Sequence, residues 1–268
     1  MTQRKDEEMV AYALEADVAL LPYLPELLAD LDELGSDAEL IAEVICDLEL
    51  PSDAHVIDLG CGRGGVAVEI AEELELAVTG IELFEPFVDA CQQLAERRGV
   101  ADRCKFVHGD VSTMAMQVPK ADVAVYAALG DVLGRLDETI AIIRRYVKPG
   151  GYLVVSDVFL AEGASSDYPG FEQYAEREET IRRLTSCGDV LVREVLLDGE
   201  GEEGEEDDDE SEDEVDEGEL IAARAANIAK RQPELAAALQ TFVDSQHAEN
   251  EFIDQNLIDA VWVLQRAG

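Results

Sequence analysis

The apolar positions fall into two rhythms along the chain. Through residues 1–50 they recur at helical spacing. Val10, Leu14, Val18 and Leu21 share one face, and Leu27, Leu28, Leu31 and Leu34 continue it after the breaks at Pro22 and Pro25. From His55 short apolar runs alternate with amphipathic stretches. The runs predict strands at 56–59, 77–82, 104–108, 123–127 and 152–157, with helices near 65–75, 86–98 and 137–147 between them. Apolar strands alternating with helices imply an α/β fold with a parallel sheet covered on both faces. Further on, the pattern predicts a helix at about 171–185 and a strand at 190–197. The acidic stretch that follows has almost nothing to bury and is expected to be a disordered loop. Helical periodicity returns over about 220–256, broken at Pro233, and a last strand at 258–264 can lie beside 190–197.

One segment carries chemistry. Val56-Ile57-Asp58-Leu59-Gly60-Cys61-Gly62-Arg63-Gly64-Gly65 is a strand running through a glycine turn into a helix. Glycines there permit a tight turn and let a ligand lie against main-chain N–H groups. Gly60, Gly62 and Gly65 also satisfy the spacing of a dinucleotide-binding turn, so the glycines alone leave that reading open. Asp58, two residues before the first glycine, would repel a pyrophosphate and suits a ligand bearing an ammonium group. Glu82 closes the second strand, where a carboxylate can accept ribose hydroxyl protons. Asp110 follows the third, placed to accept from the exocyclic amine of a base. Acids at successive strand ends meet at the carboxyl edge of a parallel sheet.

With these residues the chain resembles a class I, Rossmann-like S-adenosylmethionine-dependent methyltransferase. The matching segments are the glycine motif Asp58 to Gly64, Glu82, Asp110, the opening of strand four (Ala121-Asp122-Val123-Ala124-Val125) and the turn before strand five (Val147-Lys148-Pro149-Gly150-Gly151-Tyr152). They span about residues 50–160. The resemblance implies a doubly wound, mostly parallel seven-stranded sheet with an antiparallel C-terminal hairpin, an N-terminal helical cap and a helical insertion. The expected organisation is cap 1–50, cofactor-binding core 51–198, acidic loop 199–219, insertion 220–257 and last core strand 258–268. The cofactor implied is S-adenosyl-L-methionine. By the resemblance Asp58 with the Gly60-Cys61-Gly62 backbone holds its methionine end, Glu82 its ribose, and Asp110 with Val111 its adenine, while Leu83 packs on the base.

The chain has 61 acids against 20 bases, for a net charge of −41. The stretch from Asp198 to Glu219 holds 16 of those acids and no base, so the rest still carries −25, with Arg outnumbering Lys 15 to 5. Such a surface suits concentrated salt, where repulsion among carboxylates is screened. It disfavours bare nucleic acid and anionic membranes as partners. Hydrophobic residues make up 47%, enough for a packed core. The N-terminal residues have no signal-peptide apolar core and no run of about 18 apolar residues occurs, which reads as soluble and cytoplasmic. Five cysteines with no C-x-x-C pair read as buried hydrophobes, with no metal site expected.

A sulfonium is already a good leaving group, so alignment of the acceptor and exclusion of water suffice and a general base is optional. Tyr126, Asp131, Ser156 and Asp157 follow strands four and five and are read as pocket lining; His108 is read as strand-end packing, His55 and His247 carry no assignment, and no catalytic residue is assigned. The acceptor is expected to be a small molecule, because the sequence has no base-methylation Asn/Asp-Pro-Pro-aromatic motif and no basic RNA-binding domain, and its extra helices can close over the cleft. An RNA or protein acceptor, a non-catalytic cofactor-binding module and an NAD-dependent oxidoreductase are the alternatives. The capping aromatics Tyr12, Tyr23, Tyr168, Phe171, Tyr174 and Phe252 are expected mainly to pack helices.

Overall fold

In a computed structural model, which describes residues 2–197 and 217–268, the apolar runs form one sheet. Its strands are β1 (His55–Leu59), β2 (Ala77–Glu82), β3 (Cys104–His108), β4 (Ala121–Ala127), β5 (Val147–Leu160), β6 (Val190–Leu197) and β7 (Leu257–Gln265). Their order is β3-β2-β1-β4-β5-β7-β6. The first five pair in parallel, and β7 enters antiparallel between β5 and β6. The chain winds outward from β1 in both directions, so the switch point lies between β1 and β4. Ligands of open α/β sheets bind in the crevice at that point, beyond the carboxyl ends of the strands.

Ten helices accompany the sheet among the described residues: α1 (Thr2–Ala13), α2 (Leu24–Leu27), α3 (Ala38–Cys46), α4 (Gly65–Glu73), α5 (Glu85–Arg97), α6 (Val111–Met114), α7 (Leu136–Ile143), α8 (Arg177–Leu184), α9 (Glu217–Arg231) and α10 (Ala236–Asn256). On one sheet face Ile41 and Ile45 of α3, Ile70 of α4 and Leu94 of α5 pack on Val56, Val125 and Val154. On the other, Ile140 and Ile143 of α7 and Leu184 of α8 pack on Ile57, Leu59 and Tyr126. A third cluster joins α1, α2, α9 and α10 to Phe87 of α5, and thereby sets a helical layer over the carboxyl edge of the sheet. No described helix is long and apolar enough to cross a membrane.

Three elements depart from the pattern. The N-terminal face is not one continuous stripe. Glu15 takes a left-handed φ of 48°, Asp17 caps a 3₁₀ turn at Val18–Tyr23 by accepting the Ala19 N–H at 2.8 Å, and Val18 is turned out to solvent. Residues 171–176 are not helical. The backbone there joins β5 instead, Leu160 N–H donating to the Ala175 carbonyl at 2.9 Å, and the helix starts only at Arg177. At its other end the acidic stretch yields to α9 at Glu217, whose first-turn acids Glu217 and Glu219 suit the positive end of a helix. The expected disordered loop otherwise lies outside the described residues.

Candidate functional site

The site is built on the turn that leaves β1. Gly60 has a φ of +75°, and a Cβ placed on it would overlap the Leu129 side chain that covers it after β4. Gly64 caps α4 at φ +97°, with the Cys91 thiol and main chain within about 3 Å of any Cβ. Both positions therefore need glycine, for conformation and for space.

The turn's N–H groups are mostly spent within the protein. Gly60 and Cys61 donate to the Ile81 carbonyl at 2.8 and 3.1 Å, and Gly64 donates to Cys61 at 2.8 Å. Gly65 donates to the Asp32 carbonyl at 3.1 Å, and Gly62 donates to Glu82 Oε2 at 3.0 Å. The donors that the sequence offers to a ligand thus have partners within the protein. The turn also offers acceptors: the Gly60 carbonyl receives no hydrogen bond from the described residues, and Asp58 lines the same cavity.

Asp58 is 3% exposed, and its Oδ2 is buried with no hydrogen-bond partner. Burial, and secondarily the charge of Glu82, raises its carboxyl to about 7. Glu82, 8% exposed, clasps the turn through Oε2 and accepts the Phe84 N–H through Oε1 at 2.7 Å. Burial raises it to about 7 against the lowering effect of those N–H groups. Asp110 caps α6, its two oxygens accepting the Ser112 N–H and O–H at 2.7 Å each. The buried Val111 begins that helix, and its carbonyl accepts the Tyr146 O–H.

Asp58, Gly60, Cys61, Gly62, Glu82, Leu83, Asp110 and Val111 all line a single cavity at the β1–β4 crevice. A second cavity adjoins it, the two sharing Ala13, Leu14, Glu33, Leu34, Ala128, Leu129 and Val132. Asp131, Ser156 and Asp157 line the second and Tyr126 the first. The histidines lie elsewhere, except that His247 of α10 reaches the second cavity. His108 hydrogen-bonds the Leu83 carbonyl at 2.8 Å, and His55 pairs with Thr79 at 2.9 Å at the far end of the sheet. Of the capping aromatics, Tyr12, Phe171 and Tyr174 line the second cavity, whereas Tyr168 and Phe252 stack at 4.6 Å behind it and Tyr23 packs in the helical layer.

Several contributors have no local sequence signal. Leu129 covers Gly60, and Asp32 takes the Gly65 N–H. Arg63 donates to the Leu31 carbonyl at 2.6 Å while lying over the Phe87 ring. Asp259 of β7 and the Glu15–Glu249 pair join the second cavity. Among the described residues no group of three or more His, Cys, Asp or Glu is arranged to hold a metal ion.

A family model described as a methyltransferase domain matches residues 50–210. The sterol 4-C-methyltransferase of Caenorhabditis elegans is 31% identical over 142 residues, 53% of this chain and 40% of its own length. The ribosomal protein L11 methyltransferase of Pasteurella multocida is 34% identical over 149 residues, 53% of this chain and 48% of its own. The chain thus spans less than half the length of either. A SAM-dependent methyltransferase from Geobacter sulfurreducens, solved in complex with S-adenosyl-L-homocysteine, has the same fold, with a TM-score of 0.71 over 91% of this chain and 97% of that one, at 21% identity.

Proposed function

Because the chain belongs to the family of methyltransferase domains, we propose that it binds S-adenosylmethionine in the first cavity and transfers the methyl group to a small molecule held in the second. The observation that carries this reading is the buried, unpartnered Asp58 Oδ2 beside a glycine turn whose N–H groups are spent. A buried carboxylate oxygen without a donor costs free energy that a bound ammonium recovers. A pyrophosphate meets the opposite situation, a carboxylate and few free donors, and the NAD-dependent alternative fails on that count.

The residues present fit the cofactor. Asp58 and the Gly60 carbonyl accept from its ammonium, Glu82 accepts from the ribose hydroxyls, Asp110 accepts from the adenine amine, and Leu83 and Val111 flank the base. When bound, the cofactor supplies an electrophilic methyl on a positively charged sulfur. Leu14, Leu34, Ala128, Leu129 and Val132 form the apolar part of the boundary between the cavities, with the Glu33 carboxyl among them. They keep water from the transfer and set the direction from which an acceptor approaches.

A small acceptor is favoured by the walls of the second cavity, which come from α1, residues 170–174 and α10. A protein acceptor, named for one relative, calls for an open groove in place of that helical layer. Among the described residues no helix is long and apolar enough to cross a membrane, and the overall negative charge opposes nucleic acid. Calorimetry tests the reading: S-adenosylhomocysteine should bind with a stoichiometry of about one, and NADH should not. Binding of NADH in preference would refute it.

A further inference from the structure

We propose that the acceptor is a small amine, drawn into the second cavity as its ammonium with Asp157 as the anionic anchor. Its nitrogen gives one proton to the Asp157 carboxylate, and the freed lone pair forms the N–C bond as the methyl–sulfur bond breaks and the neutral thioether leaves. The inference rests on the methyl-transfer reading above, which is what makes that cavity an acceptor site.

The number of carboxylates around the cavity carries no weight in so acidic a chain; their arrangement does. Asp157, near the end of β5, accepts the Val158 N–H at 2.9 Å and the Tyr174 O–H at 3.1 Å, both on Oδ1. Among the described residues these two donors both reach Oδ1, leaving Oδ2 toward the cavity that the side chain lines. Burial raises this carboxyl to about 6, below neutral pH, and no Lys or Arg among the described residues bonds to it. Asp131 accepts the Tyr12 O–H at 2.7 Å, and Glu249 of α10 lies against Glu15. Burial and the neighbouring Glu15 carboxylate raise Glu249 above the usual carboxylate range.

No Lys or Arg lines the cavity. The guanidinium bordering the neighbouring cleft, Arg183, is engaged with Glu179 at 2.9 Å. Among the described residues this half-buried carboxylate is held by hydrogen bonds and by no cation, and a ligand ammonium is the group that completes it. The rings of Tyr174 and Phe171, stacked at 5.3 Å, add faces suited to a cation. An anionic acceptor is repelled, and a neutral alcohol leaves the charge uncompensated.

The test uses the full chain saturated with S-adenosylhomocysteine. Tyramine, phenethylamine and putrescine are titrated against their isosteric alcohols, with MgCl₂ as a separate titrant. At least one amine should bind about tenfold more tightly than its alcohol. Asp157→Asn should lose most of that preference while keeping its affinity for S-adenosylhomocysteine. No amine preference in the wild type, a preference unchanged in Asp157→Asn, or competition by Mg²⁺ for the same carboxylate overturns the proposal. The wild-type comparison decides even if the variant does not fold. Failure of S-adenosylhomocysteine itself to bind overturns the underlying reading instead, so the two failures are separate.

Discussion

Glu82 Oε2 accepts the Gly62 N–H at 3.0 Å, so the acid that ends β2 holds the glycine turn of β1 in shape. The same carboxylate accepts the Phe84 N–H at 2.7 Å and lines the first cavity. It therefore has two duties, one in the fold and one toward the ligand.

Glu82→Ala is expected to fail in both. Removing the acceptor leaves two main-chain N–H groups unpaired and deprives the ligand of a charge-assisted bond. Affinity for S-adenosylhomocysteine should fall by about 1–3 kcal/mol, with a loss of stability of about the same size. Calorimetry and urea denaturation read the two separately. Unchanged affinity in a folded variant would contradict the assignment.

The raised carboxyls make a signed prediction for pH. Asp58 and Glu82 are raised to about 7 and Asp157 to about 6, each chiefly by burial. In the unfolded chain such groups lose their protons near pH 4. Between about pH 4 and 7 the folded protein binds more protons than the unfolded one, so stability falls as pH rises through that window. His55, lowered by burial, works the other way below its ordinary value, but it is one group against these three and the likewise raised Glu33, Glu249 and Asp259. Urea denaturation of the cofactor-free protein at fixed high salt should show lower stability at about pH 8 than at about pH 5.5, with a shallower slope in Asp58→Asn. Ligand affinity has the opposite sign, rising toward pH 8 as Asp58 ionises to meet an ammonium. Stability rising with pH, or a slope unaltered in Asp58→Asn, would contradict the burial argument.

Gly60→Ala puts a methyl into the Leu129 side chain at a left-handed φ. Conformation and overlap together should cost about 2–4 kcal/mol. In the double variant with Leu129→Ala the overlap is relieved and the strain at φ remains, so part of the loss should return. A double-mutant cycle by urea denaturation measures this. Full additivity would show that the two side chains do not meet.

The sheet and the positions of its acids were legible because both follow from local pattern. Buried parallel strands are apolar over their whole length, and the topology brings successive strand ends to one edge, so Asp58, Glu82 and Asp110 converge without any long-range information. The rest depends on contacts between distant segments. Residues 171–176 carry a helix-compatible pattern, but the Leu160 hydrogen bond to Ala175 claims their backbone. The glycine turn looks from sequence like a set of free donors, yet Ile81, Asp32 and Glu82 already take them. Likewise Leu129 over Gly60 and Glu15 against Glu249 are pairings that no spacing along the chain announces.

Salt should stabilise this protein. The ion pairs among the described residues are mostly exposed, such as Arg4–Glu8 and Arg182–Glu179, and screening costs little there. With 20 bases for 61 acids, most carboxylates have no partner to lose and only repulsion to be relieved. The melting temperature should rise between about 0.15 M and about 2 M KCl, over which the Debye length shrinks from about 8 Å to below about 3 Å. A flat or falling melting temperature would show that paired charges dominate.

The central claim is that the glycine turn and its acids hold S-adenosylmethionine by its ammonium. The most direct measurement is the electron density of crystals grown with S-adenosylhomocysteine. The predicted result is the ligand's amino group within hydrogen-bond distance of Asp58 Oδ2, with its ribose hydroxyls on Glu82 and its adenine beside Asp110. Density for the ligand elsewhere, or in this cavity with Asp58 Oδ2 still unpartnered, would contradict it.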